Sequence, residues 1–211
     1  MSRTPTGPSP GLRERKKEAT RQALHDQAVR LVLERGLDAV TVEAIADAAM
    51  VSRRTFSNYF SNKEEAVLHR DSVRARRLVE LVEARPAGEE PWRTLCAAAE
   101  ELVASGDVAS GDVASGDVAS GDLNAPERAR LNLGRLHPSL LAHRVATYAA
   151  VERALADVVL RRTPGLEPLT ARLLAATLMT TLRVTVEAWG ESPEEPLPQL
   201  LHRALAAVRS E

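Results

Sequence analysis

The segment TVEAIADAAMVSRRTFSNYF, residues 41–60, constrains the fold of this chain more than any other. It contains two short stretches with apolar side chains at helical spacing, 42–49 and 53–60, joined by a short turn. Thr41 and Ser52 stand where the N-capping residues of two helices are expected. The pattern predicts two short helices in tandem that face a preceding helix. The apolar positions are Val42, Ile45, Ala46, Ala49, Val51, Phe56 and Phe60.

Helix-favouring residues also dominate the rest of the chain. Ala, Leu, Val, Arg and Glu are abundant, and no long β-branched run indicates a strand. A helix over 13–35, ended by Gly36, precedes the tandem segments, and a capping box of Ser61 and Glu64 opens a long helix to residue 84. The predicted fold class is therefore all-α. Further helices are predicted over 92–103, 139–162, 169–189 and 197–208.

Composition divides the chain into an arm and two helical domains. Residues 1–11 contain three prolines and two glycines and are predicted to form a disordered arm. Residues 12–68 are predicted to form a three-helix domain whose helix-turn-helix occupies about 41–60. Residues 69–211 are predicted to form a larger helical domain.

Residues 103–122 are four copies of VASGD and are predicted to form a flexible acidic loop at about 104–123. A period of five residues matches neither a helix nor a strand, and the interior glycines disfavour a helix. Calcium binding by the repeated aspartates is an alternative, although their spacing matches neither an EF-hand loop nor the nonapeptide calcium repeat. These aspartates are Asp107, Asp112, Asp117 and Asp122.

The charge is unevenly distributed along the chain. Residues 1–77 carry 15 Lys/Arg against 10 Asp/Glu, whereas residues 78–211 carry 13 against 19. This asymmetry predicts that only the N-terminal part meets a polyanion, the alternative being chance unevenness on a solvated surface. The N-terminus lacks the apolar run of a signal peptide, and charged residues interrupt the most apolar segment, 166–189. We therefore expect a cytoplasmic protein that does not span a membrane.

The sequence contains no pattern that indicates a metal, a cofactor or an enzymatic reaction. Cys96 is the only cysteine, which excludes an internal disulfide, and the five histidines form no metal-like cluster. There is no nucleophile elbow, no phosphate-cradling glycine loop and no H-E-x-x-H motif. We predict a protein that is not an enzyme and that uses no cofactor.

The second short helix carries the residues expected to contact DNA. Phe56, Tyr59 and Phe60 are three of the six aromatic residues in the chain, and the two phenylalanines supply the core of a small domain. Arginine is the commonest reader of guanine in the major groove, and hydroxyl groups suit phosphates. The alternative is an amphipathic helix with a solvated arginine pair. The residues around the exposed N-terminal end are Ser52, Arg53, Arg54, Thr55, Asn58 and Tyr59.

Residues 28–68 resemble the DNA-binding domain of the TetR-type (TetR/AcrR) transcriptional regulators. The matching features are ERG after the first helix, TVEAIADAA as the second, VS in the turn, TF..YF in the third and KEE at the start of the fourth. The resemblance implies that Arg53 and Arg54 read bases and that Thr55, Tyr59 and Lys63 hold phosphates. Thr41 would cap the second helix near the DNA backbone.

Two positions depart from the family pattern. Met50 stands in the turn where the family usually has glycine, so a left-handed backbone there would be strained. Ser57 follows Phe56 where the family often has tyrosine, so one expected tyrosine–phosphate contact is lost or is made by a shorter hydroxyl. Both departures concern operator affinity rather than the fold.

The resemblance implies a repressor that binds a palindromic operator as a homodimer and is released by a small-molecule effector. Helices 169–189 and 197–208 would dimerise, and helix 62–84 would connect effector to DNA. A constitutive or activating DNA-binding protein is the alternative. The apolar dimerisation candidates are Leu173, Leu174, Leu178, Leu182, Val186, Leu200, Leu201 and Leu205, which could equally belong to the core. The effector-binding candidates are Trp92, Arg130, His137, His143, Tyr148 and Trp189, each of which could also be a core or surface residue.

Overall fold

The structure is a computed structural model that describes residues 11–105, 137–191 and 195–209. These ranges contain nine helices and no strand, which confirms the all-α prediction. The predicted arm, apart from Gly11, and the predicted repeat loop, apart from Ala104 and Ser105, lie outside the described residues. The helices are α1 (Leu12–Arg35), α2 (Val42–Ala48), α3 (Arg53–Ser57), α4 (Lys63–Val67), α5 (His69–Ala84), α6 (Pro91–Ala104), α7 (Pro138–Arg162), α8 (Pro168–Glu191) and α9 (Leu197–Arg209).

The chain divides into two compact units between Val67 and Leu68. In the first unit, α1 packs against α2 and α4, and α2 packs against α3. The helix α1 ends as predicted at Gly36, whose φ of 79° is a conformation that glycine adopts without steric cost. The apolar core of this unit consists of Leu24, Ala28, Val29, Leu31, Val32, Leu37, Val40, Ile45, Ala46, Phe56, Phe60, Ala66 and Val67.

A buried histidine lies within this small core. His25 is 2% exposed, and its Nδ1 lies 2.8 Å from the carbonyl oxygen of Ala66. A carbonyl oxygen only accepts, so the proton of this hydrogen bond belongs to Nδ1. The bond joins α1 to α4 and satisfies one polar group of each.

Helix α3 is shorter than predicted. It ends at Ser57 rather than at residue 60, and Asn58 is its C-cap. The carbonyl oxygen of Phe56 accepts from the amides of both Tyr59 and Phe60, each at 2.9 Å. Residues 57–60 therefore form a tighter turn after the helix, as is common at helix ends. The chain continues to turn in the helical sense up to Phe60.

The predicted helix 62–84 is two helices. It is interrupted at Leu68, whose φ of −94° and ψ of 11° lie outside the α-helical region. The predicted capping pair is also shifted by one residue. Asn62 Oδ1 accepts from the amide of Glu65 at 2.7 Å, and Glu65 Oε2 accepts from the amide of Ser61 at 2.7 Å. Asn62 is thus the N-cap of α4, and Glu65 accepts from the amide of the residue before the cap, whereas a capping box would use the amide of the cap itself.

The second unit contains α5–α9. The helix α8 packs against α6, α7 and α9, and α5 packs against α6 and α7. Its largest fully buried side chains include Trp189, Leu155, Leu178 and Leu201. The bounds of α6–α9 agree with the predictions to within two residues, because each of these four helices has a strong start signal or a Gly or Pro boundary.

Arg162, the last residue of α7, forms hydrogen bonds with the backbone at the end of α5. Its guanidinium donates to the carbonyl oxygens of Glu83, Arg85 and Pro86 at 2.9, 2.7 and 2.6 Å. Glu83 belongs to the last turn of α5, and Arg85 and Pro86 directly follow the helix, where backbone acceptors have no intrahelical partners. The C-terminal end of α7 is thereby fastened to the C-terminal end of α5.

Helix α8 is the most apolar described helix. It is the one helix among the described residues that is long and apolar enough to cross a membrane, with a mean hydropathy of 1.2. Core helices of soluble proteins reach the same value. One side of α8 is buried against its neighbours, with Ala171, Ala175 and Leu178 at 0% exposure. Its other side carries exposed Leu173 and Val184.

Candidate nucleic-acid interface

The helix-turn-helix begins with two capped helices. Thr41 Oγ1 accepts from the amide of Ala44 at 3.1 Å, and Ser52 Oγ accepts from the amide of Thr55 at 3.0 Å. Both caps were predicted from the sequence and are confirmed. Each satisfies an amide that the first turn of a helix leaves without a partner.

The turn between α2 and α3 is a Schellman motif. The amide of Val51 donates to Ala46 O at 2.9 Å, and the amide of Met50 donates to Asp47 O at 3.0 Å. This motif requires a left-handed residue at the position of Met50, whose φ is 56°. The conformation predicted to be strained is therefore present, and the Met50 side chain is 92% exposed.

Two phenylalanines anchor α3 from behind. Phe56 and Phe60 are 1% and 3% exposed, and their ring centroids lie 5.7 Å apart in a tilted arrangement. This geometry is favourable for an aromatic pair. The ring of Tyr59 is half-buried, and the guanidinium carbon of Arg21 lies 5.6 Å from its centroid. Helix α3 is thus held against the unit although it has only five residues.

The opposite side of α3 is exposed. The side chains of Ser52, Arg53, Arg54 and Asn58 are exposed, and Thr55 is half-buried with its Oγ1 2.9 Å from Ser52 Oγ. Arg53 Nη1 forms an ion pair with Glu43 Oε1 at 2.9 Å. Arg54 forms no ion pair with any residue that the structure describes. Within the part of the chain that the structure describes, this surface therefore presents one ion-paired and one unpaired arginine beside hydroxyl and amide groups.

Lys63 makes contacts that the sequence did not suggest. Its Nζ donates to the carbonyl oxygens of Leu37 and Val40 at 2.7 and 3.0 Å. These carbonyls belong to the loop between α1 and α2, and both residues are buried. The ammonium group thus fastens this loop to the start of α4, and one of its three donors is left for another acceptor.

The predicted effector-binding residues have different environments in the described structure. Trp92 and Trp189 belong to the core of the second unit, and His137 caps α7 by accepting from the amide of Ser139. His143 is half-buried on α7. Arg130 lies outside the described residues.

Tyr148, one of the predicted effector residues, lines a pocket. The pocket, of about 380 Å³, lies between α7 and α8. Sequence reasoning missed Arg144, Arg183 and Glu187. Arg144 lies four residues before Tyr148 and Arg183 four before Glu187, but spacing within one helix does not show that α7 and α8 meet at a pocket. The lining residues are Leu141, Arg144, Val145, Tyr148, Ala149, Glu152, Arg183 and Glu187.

The expected dimerisation residues are mostly part of the core. Leu178, Leu201 and Leu205 are at most 3% exposed, so these three are intradomain contacts. Four more are partly buried against the same core: Leu174, Leu182, Val186 and Leu200. Leu173 alone among those predicted is largely exposed, at 58%.

The fold and the exposed side of α3 define a helix-turn-helix DNA-binding protein. The sequence matches the family described as bacterial regulatory proteins of the tetR family over residues 24–69, and the MftR C-terminal domain over residues 118–211. It is 31% identical over 217 residues to the HTH-type transcriptional regulator TcmR of Streptomyces glaucescens, covering 99% of this chain and 90% of that protein. The chain therefore belongs to the TetR family of transcriptional regulators.

Solved structures of other transcriptional regulators share this fold. FadR of Thermus thermophilus, a TetR-family transcriptional repressor in complex with lauroyl-CoA, is 24% identical with a TM-score of 0.54, covering 89% of this chain and 92% of that chain. A transcriptional regulator from Aquifex aeolicus VF5 is 15% identical with a TM-score of 0.54, covering 90% and 98%. Members of the family bind DNA and ligands and are dimers, and they are generally not enzymes.

Proposed function

We propose that this protein is a ligand-responsive repressor that binds a palindromic operator as a homodimer and is released by a small-molecule effector. The proposed domains are a DNA-binding domain over 12–68 and a regulatory and dimerisation domain over 69–211. The working compartment is the cytoplasm, where the DNA of a bacterial regulator lies. Neither a metal nor a cofactor is required for this function.

The observation that carries the proposal is the pair of arginines on the exposed side of α3. Phe56 packs the helix from behind, so Arg53 and Arg54 point away from the core at its first turn. Guanidinium groups in this position suit the O6 and N7 acceptors of guanine in the major groove. We assign Arg53 and Arg54 to base edges.

Phosphate contacts would surround this pair. The proposed donors are hydroxyl, amide and ammonium groups, which hold the phosphate backbone without reading sequence. Thr41 uses its oxygen as a cap and retains its hydroxyl proton for a phosphate oxygen, whereas the hydroxyls of Ser52 and Thr55 share one hydrogen bond, which leaves one of their two protons for a phosphate. The proposed phosphate-binding residues are Thr41, Ser52, Thr55, Asn58, Tyr59 and Lys63.

A dimer is proposed because one short reading helix covers few base pairs. Two copies related by a two-fold axis would read half-sites about 34 Å apart, one turn of the duplex. The exposed side of α8 supports this arrangement, since Leu169, Leu173 and Val184 are 57%, 58% and 50% exposed. Apolar side chains on one face of a helix commonly mark a contact with another protein surface.

Release by an effector is proposed from the pocket between α7 and α8. A ligand that binds one conformation of the second unit more tightly than another shifts the population, and thus the operator affinity. The complex of Thermus thermophilus FadR with lauroyl-CoA supports the idea that this fold accommodates such a ligand. The hydrogen bonds from Arg162 to the end of α5 offer a physical link from α7 to the helix that follows the DNA-binding unit.

The test is selection of bound sequences from random duplex DNA, followed by a screen for small molecules that release the selected operator. The expected result is a palindrome with half-sites one helical turn apart and at least one releasing compound. A palindrome that no compound releases would favour the constitutive or activating alternative. Failure to select any sequence at low salt would contradict the assignment of DNA binding to α3.

A further inference from the structure

The pocket between α7 and α8 has one apolar wall. Its volume of about 380 Å³ is in the range of small-molecule sites, about 300–1,000 Å³. Leu141, Val145 and Ala149 line it from α7, and Leu141 and Val145 are 50% and 59% exposed. Because water solvates these side chains poorly, the wall suits the hydrophobic part of a ligand.

Arg144 lies beside this wall with unused hydrogen-bonding capacity. Its Nη2 donates to the hydroxyl of Tyr148 at 3.0 Å, and its guanidinium carbon lies 5.5 Å from the centroid of the Tyr148 ring. Its Nε is buried and has no hydrogen-bond partner among the described residues. A buried donor without an acceptor is costly, so an acceptor supplied by a ligand would be stabilising.

Among the described residues, the charged neighbours of Arg144 form no ion pair with its guanidinium. Arg183 Nη1 pairs with Glu187 Oε2 at 3.0 Å across one turn of α8, whereas Arg144 forms no salt bridge within the described residues. Desolvation acts to lower the pKa of Arg144, but Tyr148, Asp71 and Glu187 outweigh it and the net shift is upward. Arg144 therefore stays charged at all physiological pH values.

Tyr148 supplies a second hydrogen-bond donor beside Arg144 in the pocket lining. Its hydroxyl oxygen accepts from Arg144, which leaves its own proton available. Burial is the largest influence on the pKa of Tyr148 and raises it, so the hydroxyl remains protonated. A guanidinium and a phenol that both donate match an anionic oxygen better than a cation or a neutral group.

From this arrangement we infer that the pocket binds an amphipathic organic anion. The carboxylate or equivalent acidic group lies against Arg144 and Tyr148, and the apolar body lies along Leu141, Val145 and Ala149. Glu152, at the other end of the α7 wall, disfavours a second acidic group on the ligand. The inference deepens the proposed function, and rests on it, by giving the effector a chemical class.

The test compares three ligands of equal chain length by titration calorimetry with the full chain and no DNA: octanoate, octylammonium and octanol. The affinity for octanoate is expected to be at least about tenfold higher than for the other two ligands, because only octanoate offers Arg144 an anionic acceptor for a charge-assisted hydrogen bond. Arg144→Met removes this preference, while Arg144→Lys retains part of it. Arg153→Met is the control, because Arg153 is an exposed arginine on the same helix outside the pocket lining. Equal affinity for the three ligands, or octanoate binding that survives Arg144→Met unchanged, overturns the inference.

A second variant tests the same site without removing Arg144. Glu187→Gln breaks the ion pair of Arg183 and takes one negative charge from the pocket. Octanoate is then expected to bind severalfold more tightly, and unchanged or weaker binding counts against an anion site. Circular dichroism of each variant establishes that the helices are retained.

DNA binding is measured separately, by fluorescence anisotropy with the selected operator. Octanoate binding that leaves operator affinity unchanged would support the anion site and contradict its role as the effector site. Operator binding without any preference for octanoate would overturn the ligand class and leave the regulator intact.

Discussion

Arg53 Nη1 lies 2.9 Å from Glu43 Oε1, so an ion pair joins the first residue of α3 to the first turn of α2. Both side chains are largely exposed, at 72% and 51%, and such pairs contribute little to stability. The pair nevertheless holds one of the two proposed base-reading guanidinium groups against a carboxylate. Arg53 must leave Glu43, or share its donors, when it binds a base.

Glu43→Gln is therefore expected to strengthen operator binding by about two- to fivefold, the size of an exposed ion pair. The substitution releases Arg53 and removes a negative charge close to the proposed phosphates. Fluorescence anisotropy with operator DNA measures the change. Glu34→Gln is the control, because it breaks the Arg30–Glu34 pair on α1 with the same change in charge. Weaker binding by Glu43→Gln would show that the pair positions Arg53 for readout.

Arg54→Ala is expected to relax base preference and to cost about 1–3 kcal/mol of specific binding free energy. Arg54 has no ion pair in the described structure, so its loss changes no recorded salt bridge of the folded protein. The measurement is the set of affinities for operators altered one base pair at a time. Arg30→Ala removes an equal charge from α1 and is expected to leave discrimination unchanged. If Arg54→Ala discriminates as well as the original protein, Arg54 does not read a base.

Met50→Gly is expected to stabilise the protein by about 0.5–1 kcal/mol. The left-handed φ of 56° costs a residue with a Cβ about 1–2 kcal/mol, which exceeds the extra entropy that glycine loses on folding. Because the Met50 side chain is 92% exposed, little packing is lost. Urea unfolding measures the change, and Met50→Ala is the control because its Cβ preserves the strain. A gain in Met50→Ala equal to that in Met50→Gly would contradict this explanation.

Lys63→Met is expected to lower the free energy of unfolding by about 1–3 kcal/mol, because it leaves the carbonyls of Leu37 and Val40 without their donor. If Lys63 also holds a phosphate, the substitution reduces the slope of the logarithm of operator affinity against the logarithm of salt concentration by about one. We expect both effects. Lys17→Met, at an exposed lysine of α1, is the control for charge alone. Lower stability with an unchanged salt slope would restrict Lys63 to its structural role.

Leu173→Glu is expected to shift the protein from dimer to monomer. Leu173 is 58% exposed on α8, so a glutamate is tolerated in the monomer but would be buried without a partner in a dimer. Analytical ultracentrifugation measures the change. Val73→Glu, at a 40% exposed position of α5, is the control. A dimer that survives Leu173→Glu would place the contact elsewhere.

Local interactions explain which parts of the fold were predictable. The caps Thr41 and Ser52 and the boundary Gly36 act within a few residues of the chain, and the structure contains each of them. The same holds for Met50, whose left-handed conformation follows from the short turn it occupies. The break at Leu68 was missed because its residues favour a helix individually, so nothing local marks the interruption.

Contacts between distant residues explain what could not be predicted. Lys63 and Leu37 are 26 positions apart, and His25 and Ala66 are 41 apart. No periodic pattern specifies such pairs, because they depend on how helices cross. For the same reason, helical spacing alone could not separate the leucines of the core, such as Leu178, from the exposed Leu173.

By itself, the sequence determined the helices, most of their ends and the family, since these depend on propensities, caps and motifs carried by neighbouring residues. Only the tertiary structure decided that Arg53 is ion-paired while Arg54 has no ion pair among the described residues, that Lys63 fastens a loop, and that Arg144 stands beside an apolar pocket. The physical reason is that hydrogen bonding, burial and charge pairing depend on which helices meet, and the order of residues within one helix does not contain that information.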